Sequence, residues 1–299
     1  MASHFIMDLS NADTTKMTSY SCVSLVDYPI PYKNIEEANS DLIEKPPEEY
    51  DGLITTLPLE PFFERPFSFS QPFRFFPKSG TTWLKAMIFA TLTRNNYLLD
   101  QHPLHTHNPH QCVPYMELGF ATGRSQIIEV IPSPRVMSTH LPYSLLPDSI
   151  TESSCQIVYV WRDPKDVMVS MWYFVQKVLG GADKVATFDQ FYEFFYQGLN
   201  SFGPIWNHVL GYWEESKERP EKFLFLKYEH ILQEPVKCAK QLAHFIGCPY
   251  SENEENQGVV EQIVELCSIK KLKDFDVNKD NDRATSKSDV HISNAYYFR

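Results

Sequence analysis

The sequence predicts an α/β protein whose central sheet is mostly parallel and covered by helices on both faces. Three observations predict it. Apolar strand-like runs alternate with helical periods from about residue 77 onward. Gln156-Ile-Val-Tyr-Val-Trp161 is apolar enough to be a strand buried on both faces. Between them lies Lys78-Ser-Gly-Thr-Thr-Trp83, a turn that opens into the helical pattern Trp83-Leu-Lys-Ala-Met-Ile-Phe-Ala. A turn of that kind places backbone N–H groups, hydroxyls and one lysine at a helix N-terminus, which favours a phosphate or sulfate. It differs from the Walker pattern of nucleotide hydrolases, because Lys78 precedes Gly80 instead of following a second glycine.

Composition narrows the class of protein. The chain has 299 residues, 43% hydrophobic and 22% charged, as expected of a globular protein with a sizeable core. A net charge of −11 argues against general affinity for nucleic acid or an anionic membrane, so an anionic ligand requires a local cluster of positive groups. Cys22, Cys112, Cys155, Cys238, Cys248 and Cys267 show no CxxC spacing, which argues against a zinc site or a disulfide framework. With no signal-like start and no apolar run of spanning length, a reduced cytoplasmic protein is expected.

Along the chain, residues 1–45 are mixed and polar and read as a loosely ordered tail. Pro46-Pro-Glu-Glu49 marks entry into the folded part, and residues 61–76, crowded with Pro and Phe, are expected to form an irregular connection. A helix is expected over about 81–94, a loop over 98–116, a strand or the end of a helix over 126–131, and strands near 134–140 and 156–161. Asp163 as cap and Pro164 as first helical residue start a helix to about 178. Helices are expected over 187–197 and 202–217, a strand over 222–228, then helices from Pro235 to Gly247 and over about 255–267. His102, His105, His107 and His110 invite a metal site, but their spacing is irregular and no carboxylate or cysteine completes a set.

Taken together, several segments resemble the cytosolic sulfotransferases. These are Pro77-Lys-Ser-Gly-Thr-Thr-Trp83, Ser138-Thr-His-Leu-Pro142, Val158-Tyr-Val-Trp-Arg162-Asp-Pro-Lys-Asp-Val167 with Ser170, and Phe225-Leu-Lys-Tyr-Glu229. Thr106-His-Asn-Pro-His-Gln-Cys-Val-Pro114 and Gly203-Pro-Ile-Trp-Asn-His-Val-Leu-Gly-Tyr-Trp213 resemble the plant-type members. The resemblance implies one P-loop-like domain over 46–299. It also implies transfer of a sulfuryl group from 3′-phosphoadenosine 5′-phosphosulfate to a hydroxylated small molecule, with no metal, no nucleic acid or membrane partner, and a monomeric state.

The resemblance also implies roles. Lys78 would neutralise charge on the leaving oxygen, with Ser79, Gly80, Thr81 and Thr82 around the 5′-phosphate. His140 would be the catalytic base. Arg162 and Ser170 would read the 3′-phosphate, a nucleotide's length from Lys78, against the alternative that Arg162 pairs with Asp163 or Asp166 at the surface. Trp83 and Tyr228 would flank the adenine, Ser268 and Ile269 would close that pocket, and Arg299 would belong to the final phosphate-binding loop.

Two departures from the family pattern lead to a second expectation. Only about sixteen residues separate Leu57-Pro58 from the anion loop, too few for the family's apolar strand, and Pro72 and Arg74 suit a central strand badly. Beyond Arg299 the family's Lys-Gly and Gly-Asp-Trp do not follow, which leads to the expectation of a C-terminally incomplete domain with donor affinity lowered by about two orders of magnitude or more. The alternative function is therefore a sulfotransferase-like protein of impaired or absent activity. A P-loop hydrolase or kinase is disfavoured, since no Gly-Lys-Ser/Thr and no clear Mg²⁺-binding acidic strand end occur.

Overall fold

A computed structural model describes residues 3–8, 78–116, 135–178, 187–199, 203–279 and 293–298. Four strands form one sheet in the order β2-β1-β3-β4: β1 Ser3–Asp8, β2 Arg135–Thr139, β3 Gln156–Trp161 and β4 Phe223–Lys227. β3 pairs parallel with β4, with Val158 opposite Leu224. β1 is antiparallel to both neighbours, with Phe5 opposite Ser138 on one side and Val158 on the other. β2, β3 and β4 therefore run in one direction, and the sheet is mostly parallel in sense.

β1 departs from expectation, for Ser3–Asp8 lies inside the stretch read as a loose tail. The remainder of 1–45 lies outside the described residues, as do the expected connection at 61–76 and the strand or helix end expected at 126–131. The physical reason β1 escaped notice is that nothing in six residues of mixed polarity announces a strand; its backbone is recruited by the unpaired edges of β2 and β3.

Side-chain alternation along β3 builds the two faces of the sheet. Val158 and Val160 join a core with α1 (Thr81–Thr93), whereas Ile157 and Tyr159 join a second core with Phe223 and Tyr212. All thirteen residues of α1 are buried, an apolar cylinder carrying Lys85, Thr91 and Thr93 inward. α2 (Pro164–Val178), α3 (Phe188–Tyr196) and α4 (Ile205–Glu218) follow β3, and share a third cluster around Val167, Met171, Phe195 and Ile205. Asp163 starts α2 as expected, its carboxylate accepting from the Lys165 N–H at 2.9 Å.

After β4 the chain makes α5 (Tyr228–Gln233), α6 (Pro235–Phe245), α7 (Glu252–Asn256), α8 (Val259–Leu266) and α9 (Ile269–Asp274). The single helix expected over 255–267 is two helices, because Gly258 takes a left-handed conformation, φ 69°, and breaks the run. Among the described residues no helix is long and apolar enough to cross a membrane. The five described cysteines are free thiols.

Candidate active site

The common direction of β2, β3 and β4 brings three residues to one edge of the sheet. His140 follows β2, Arg162 follows β3 and Tyr228 follows β4. Carboxyl ends of parallel strands are where α/β folds hold ligands. The loop Lys78–Gly80 enters α1 at the same place. Gly80 is needed there twice over: its φ is +103°, and a Cβ would stand 2.8 Å from the Tyr228 ring. α1 begins without a side-chain cap and without an acidic residue in its first turn, so nothing of that kind competes there for an anion.

A partly open cleft joins these parts, with an enclosed volume of about 70 Å³. Lys78, Gly80, Thr81, Thr82, Trp83, His140, Arg162, Ser170, Tyr228 and Ile269 all line it, ten of the residues singled out in the sequence. Ser79 is fully buried and is not among the lining residues. Ser268 is spent as the cap of α9, its hydroxyl accepting from the Lys271 N–H at 3.1 Å. Arg299 lies outside the described residues.

The lining also contains His110, Tyr115, Met171, Phe174 and Tyr297. Phe174 carried a signal: it sits one helical turn beyond Ser170 on α2, and its ring faces the Lys78 ammonium at 4.8 Å. His110 stood in the sequence as one of four clustered histidines, not as a neighbour of the anion loop. It meets the Thr82 hydroxyl through Nε2 at 3.1 Å and stacks on Tyr297, ring centres 4.0 Å apart. Tyr115 lies 4.8 Å from the His140 ring, held there because the Pro114 carbonyl accepts from the Ser138 N–H of β2 at 2.9 Å.

The four histidines serve separate tasks. His102 bonds Thr93, His105 bonds the Leu99 carbonyl, His107 bonds Thr106 and His110 bonds Thr82. Among the described residues no three His, Cys, Asp or Glu side chains gather as a metal-binding group.

Arg162 combines both readings offered for it. One η nitrogen pairs with Asp166, one turn on, at 3.3 Å, while the guanidinium lies over the Tyr228 ring at 4.7 Å inside the cleft. Its other η nitrogen donates to the Lys78 carbonyl at 3.1 Å. The expected nucleotide-length separation from Lys78 is thus not what its main-chain contact shows: the long side chain folds back over the loop to acceptors within its reach. Arg162 Nε and His110 Nδ1 are buried without a hydrogen-bond partner among the described residues. A buried, unspent guanidinium donor beside an uncapped helix N-terminus and a lysine fits a ligand with more than one anionic group.

Electrostatics set the protonation state of the imidazoles. Burial holds His140 well below the ordinary histidine range, and the Lys85 ammonium pushes in the same direction. His110 is lowered likewise, by burial first and then by Lys85 and Lys78. Both rings are neutral at pH 7, so each keeps one nitrogen lone pair. A cation, an anion-ready helix end, a guanidinium and a neutral imidazole in one cleft suit transfer of an anionic group to a hydroxyl whose proton is removed.

Residues 76–299 match the family model described as Sulfotransferase domain. The chain is similar to cytosolic sulfotransferase 17 of Arabidopsis thaliana, 36% identical over 88% of this chain and 86% of that protein. It is 42% identical to the flavonol 4′-sulfotransferase of Flaveria chlorifolia, over 75% of this chain and 68% of that one. Among solved structures, it is similar to an Arabidopsis thaliana putative steroid sulphotransferase, 40% identical, with a TM-score of 0.55 over 66% of this chain and 67% of that one. A mouse sulfotransferase complexed with PAP is 26% identical, with a TM-score of 0.52 over 68% of this chain and 64% of that one.

Proposed function

Given that the chain belongs to the sulfotransferase domain family, we propose that it moves a sulfuryl group from 3′-phosphoadenosine 5′-phosphosulfate to the hydroxyl of a small molecule in the cytosol. The observation that carries this reading is the convergence of Lys78, Arg162 and His140 on one cleft from three separate elements. The donor supplies a sulfuryl group carried on a phosphate leaving group. Transfer forms an S–O bond to the acceptor, breaks the bridging S–O bond and leaves the electron pair on the nucleotide phosphate.

This chain's residues meet each demand of that exchange. The Lys78 ammonium offsets negative charge as it grows on the bridging oxygen, and the start of α1 with Thr81 and Thr82 binds the adjoining phosphate. Arg162, with Ser170 beside it in the cleft, binds the second phosphate through its planar fork. Trp83 and Tyr228 supply flat apolar walls for a purine. His140, neutral at working pH, takes the proton of the attacking hydroxyl. His110, Tyr115, Phe174 and Tyr297 give the remaining wall an aromatic character, which suits flat hydroxylated acceptors. Flavonol and steroid are the acceptor classes in the names of two relatives, and both have that shape.

Calorimetric titration with 3′-phosphoadenosine 5′-phosphate against ATP tests the reading. Preference for the 3′-phosphorylated nucleotide is expected, followed by sulfuryl transfer to at least one member of a panel of flavonols, steroids and simple phenols. Equal binding of ATP, or no binding of either nucleotide, would overturn it.

A further inference from the structure

Lys85 is the one charged residue of α1, and it is completely buried. Its Nζ donates to the Val113 carbonyl at 2.7 Å and lies 3.4 Å from the centre of the Tyr115 ring. That ring stands 4.8 Å from the ring of His140, centre to centre. The ammonium is therefore no further from the His140 ring than those two separations added together. Lys85 is also one helical turn beyond Thr81, on the same face of α1, just behind the cleft wall. A methionine or leucine would fill that position without the cost of desolvating an ammonium.

We infer that Lys85 is a positioning residue of the transfer site: it clamps the Val113–Tyr115 segment against His140 and keeps a fixed positive charge beside that imidazole, so the ring stays neutral and able to accept a proton. This inference rests on the reading that His140 takes the proton of the acceptor. The clamp has two parts. The hydrogen bond to Val113 fixes the strap, and the cation over the Tyr115 face fixes the ring that packs on His140. Other groups also face His140. His208 comes from α4, His110 and Tyr115 from the 109–115 segment, and Lys78 and Arg162 share its cleft. Lys85 is the side-chain charge with the largest influence on the His140 titration after burial itself. Two positive charges at such a separation, in a site of low effective dielectric, repel, so Lys85 disfavours the protonated ring.

The test uses Lys85→Met and Lys85→Gln; the second is polar and keeps a donor for the Val113 carbonyl but has no charge. The His140 titration is read by NMR on histidine-labelled, unliganded protein, with His140→Ala identifying the resonance. Both variants should raise the His140 pKa, and the acid limb of kcat/KM should move to higher pH with it. A folded variant with an unchanged His140 titration overturns the inference, even if its rate has fallen. If neither variant folds, the Lys85 side chain of the parent decides: an ammonium at pH 7 with ring-shifted ε-protons supports the clamp, and a neutral amine overturns it. Should the protein transfer no sulfuryl group at all, the reading of the function fails, while the titration still decides whether Lys85 sets the charge of His140.

Discussion

His208 Nε2–H donates to the main-chain carbonyl of His140 at 3.1 Å, while its Nδ1 accepts from the Tyr159 hydroxyl at 3.0 Å. A carbonyl only accepts, so the tautomer of His208 is fixed. One turn along α4, the Tyr212 hydroxyl donates to the Leu141 carbonyl at 2.9 Å. Two residues spaced i and i+4 thus grip the two consecutive carbonyls that end β2. The orientation of the His140 ring depends on that grip. His208→Phe should leave a buried carbonyl and a buried tyrosine hydroxyl unsatisfied, at about 1–3 kcal/mol each. The expected result is turnover lowered about tenfold or more with nucleotide affinity unchanged, and partial recovery in His208→Gln. A loss of nucleotide affinity equal to the loss of turnover would show that α4 supports the whole cleft instead of the base.

Removing the base itself should separate chemistry from binding. His140→Ala is expected to lower turnover about a hundredfold or more, with little change in the dissociation constant for 3′-phosphoadenosine 5′-phosphate. Lys78→Ala should differ, lowering both turnover and affinity, because an ammonium beside a phosphate acts in the ground state as well as in the transition state. Single-turnover rates and calorimetry measure the two quantities independently. A His140→Ala protein with full single-turnover rate would remove His140 from the mechanism.

Much of this site was legible in the chain, and the reason is local. Lys78 to Trp83 open a helix, while Arg162 with Asp163 and Pro164, and Tyr228, lie where a strand runs into a helix, and such places carry their own turn and cap chemistry. Seven of the ten expected residues that line the cleft lie at such places, while His140, Ser170 and Ile269 were legible only through the family resemblance. His110 and Tyr115 were not legible, since their place depends on Thr82 and Ser138, 28 and 23 positions away, through contacts that no local pattern encodes. Lys85 was hidden for a different reason: inside a helical period, a lysine reads as a solvent-facing residue, and only complete burial of α1 turns it inward. β1 was missed because strand pairing is decided by its neighbours, and Ser3–Asp8 has no alternation to advertise it.

Arg162 makes a chemical discrimination that binding measurements read directly. Its guanidinium is held by Asp166 and the Lys78 carbonyl with Nε still unspent, so a 3′-phosphate adds a charge-assisted bond to a group already in place. Arg162→Ala should weaken 3′-phosphoadenosine 5′-phosphate by about ten- to a hundredfold. Adenosine 5′-phosphosulfate, which lacks that phosphate, should lose much less. Equal losses for both ligands would mean that Arg162 braces the loop through Lys78 and does not read the group.

The buried histidines make the fold sensitive to acid. Burial lowers His102 to about 4, helped by His105, and lowers His208 to about 4. Burial likewise holds His110 and His140 well below the ordinary value of 6.5. Above pH 6.5 these rings are neutral in both the folded and the unfolded chain and contribute no pH dependence. Below pH 6.5 the unfolded chain takes up protons that the folded chain refuses, so stability falls as pH falls, and for His102 and His208 this continues until their folded pKa values near 4 are reached. His102 and His208 alone give a slope of up to about 2.7 kcal/mol per pH unit, and a domain is stable by only about 5–15 kcal/mol. Unfolding should therefore set in well above the carboxylate range, with the melting temperature dropping steeply between pH 6.5 and 5. His102→Asn, which removes one of these groups, should flatten the slope by about one proton. A melting temperature level from pH 7 down to 5 would show that these imidazoles take up protons in the folded state, and that their burial is less complete than this structure has it.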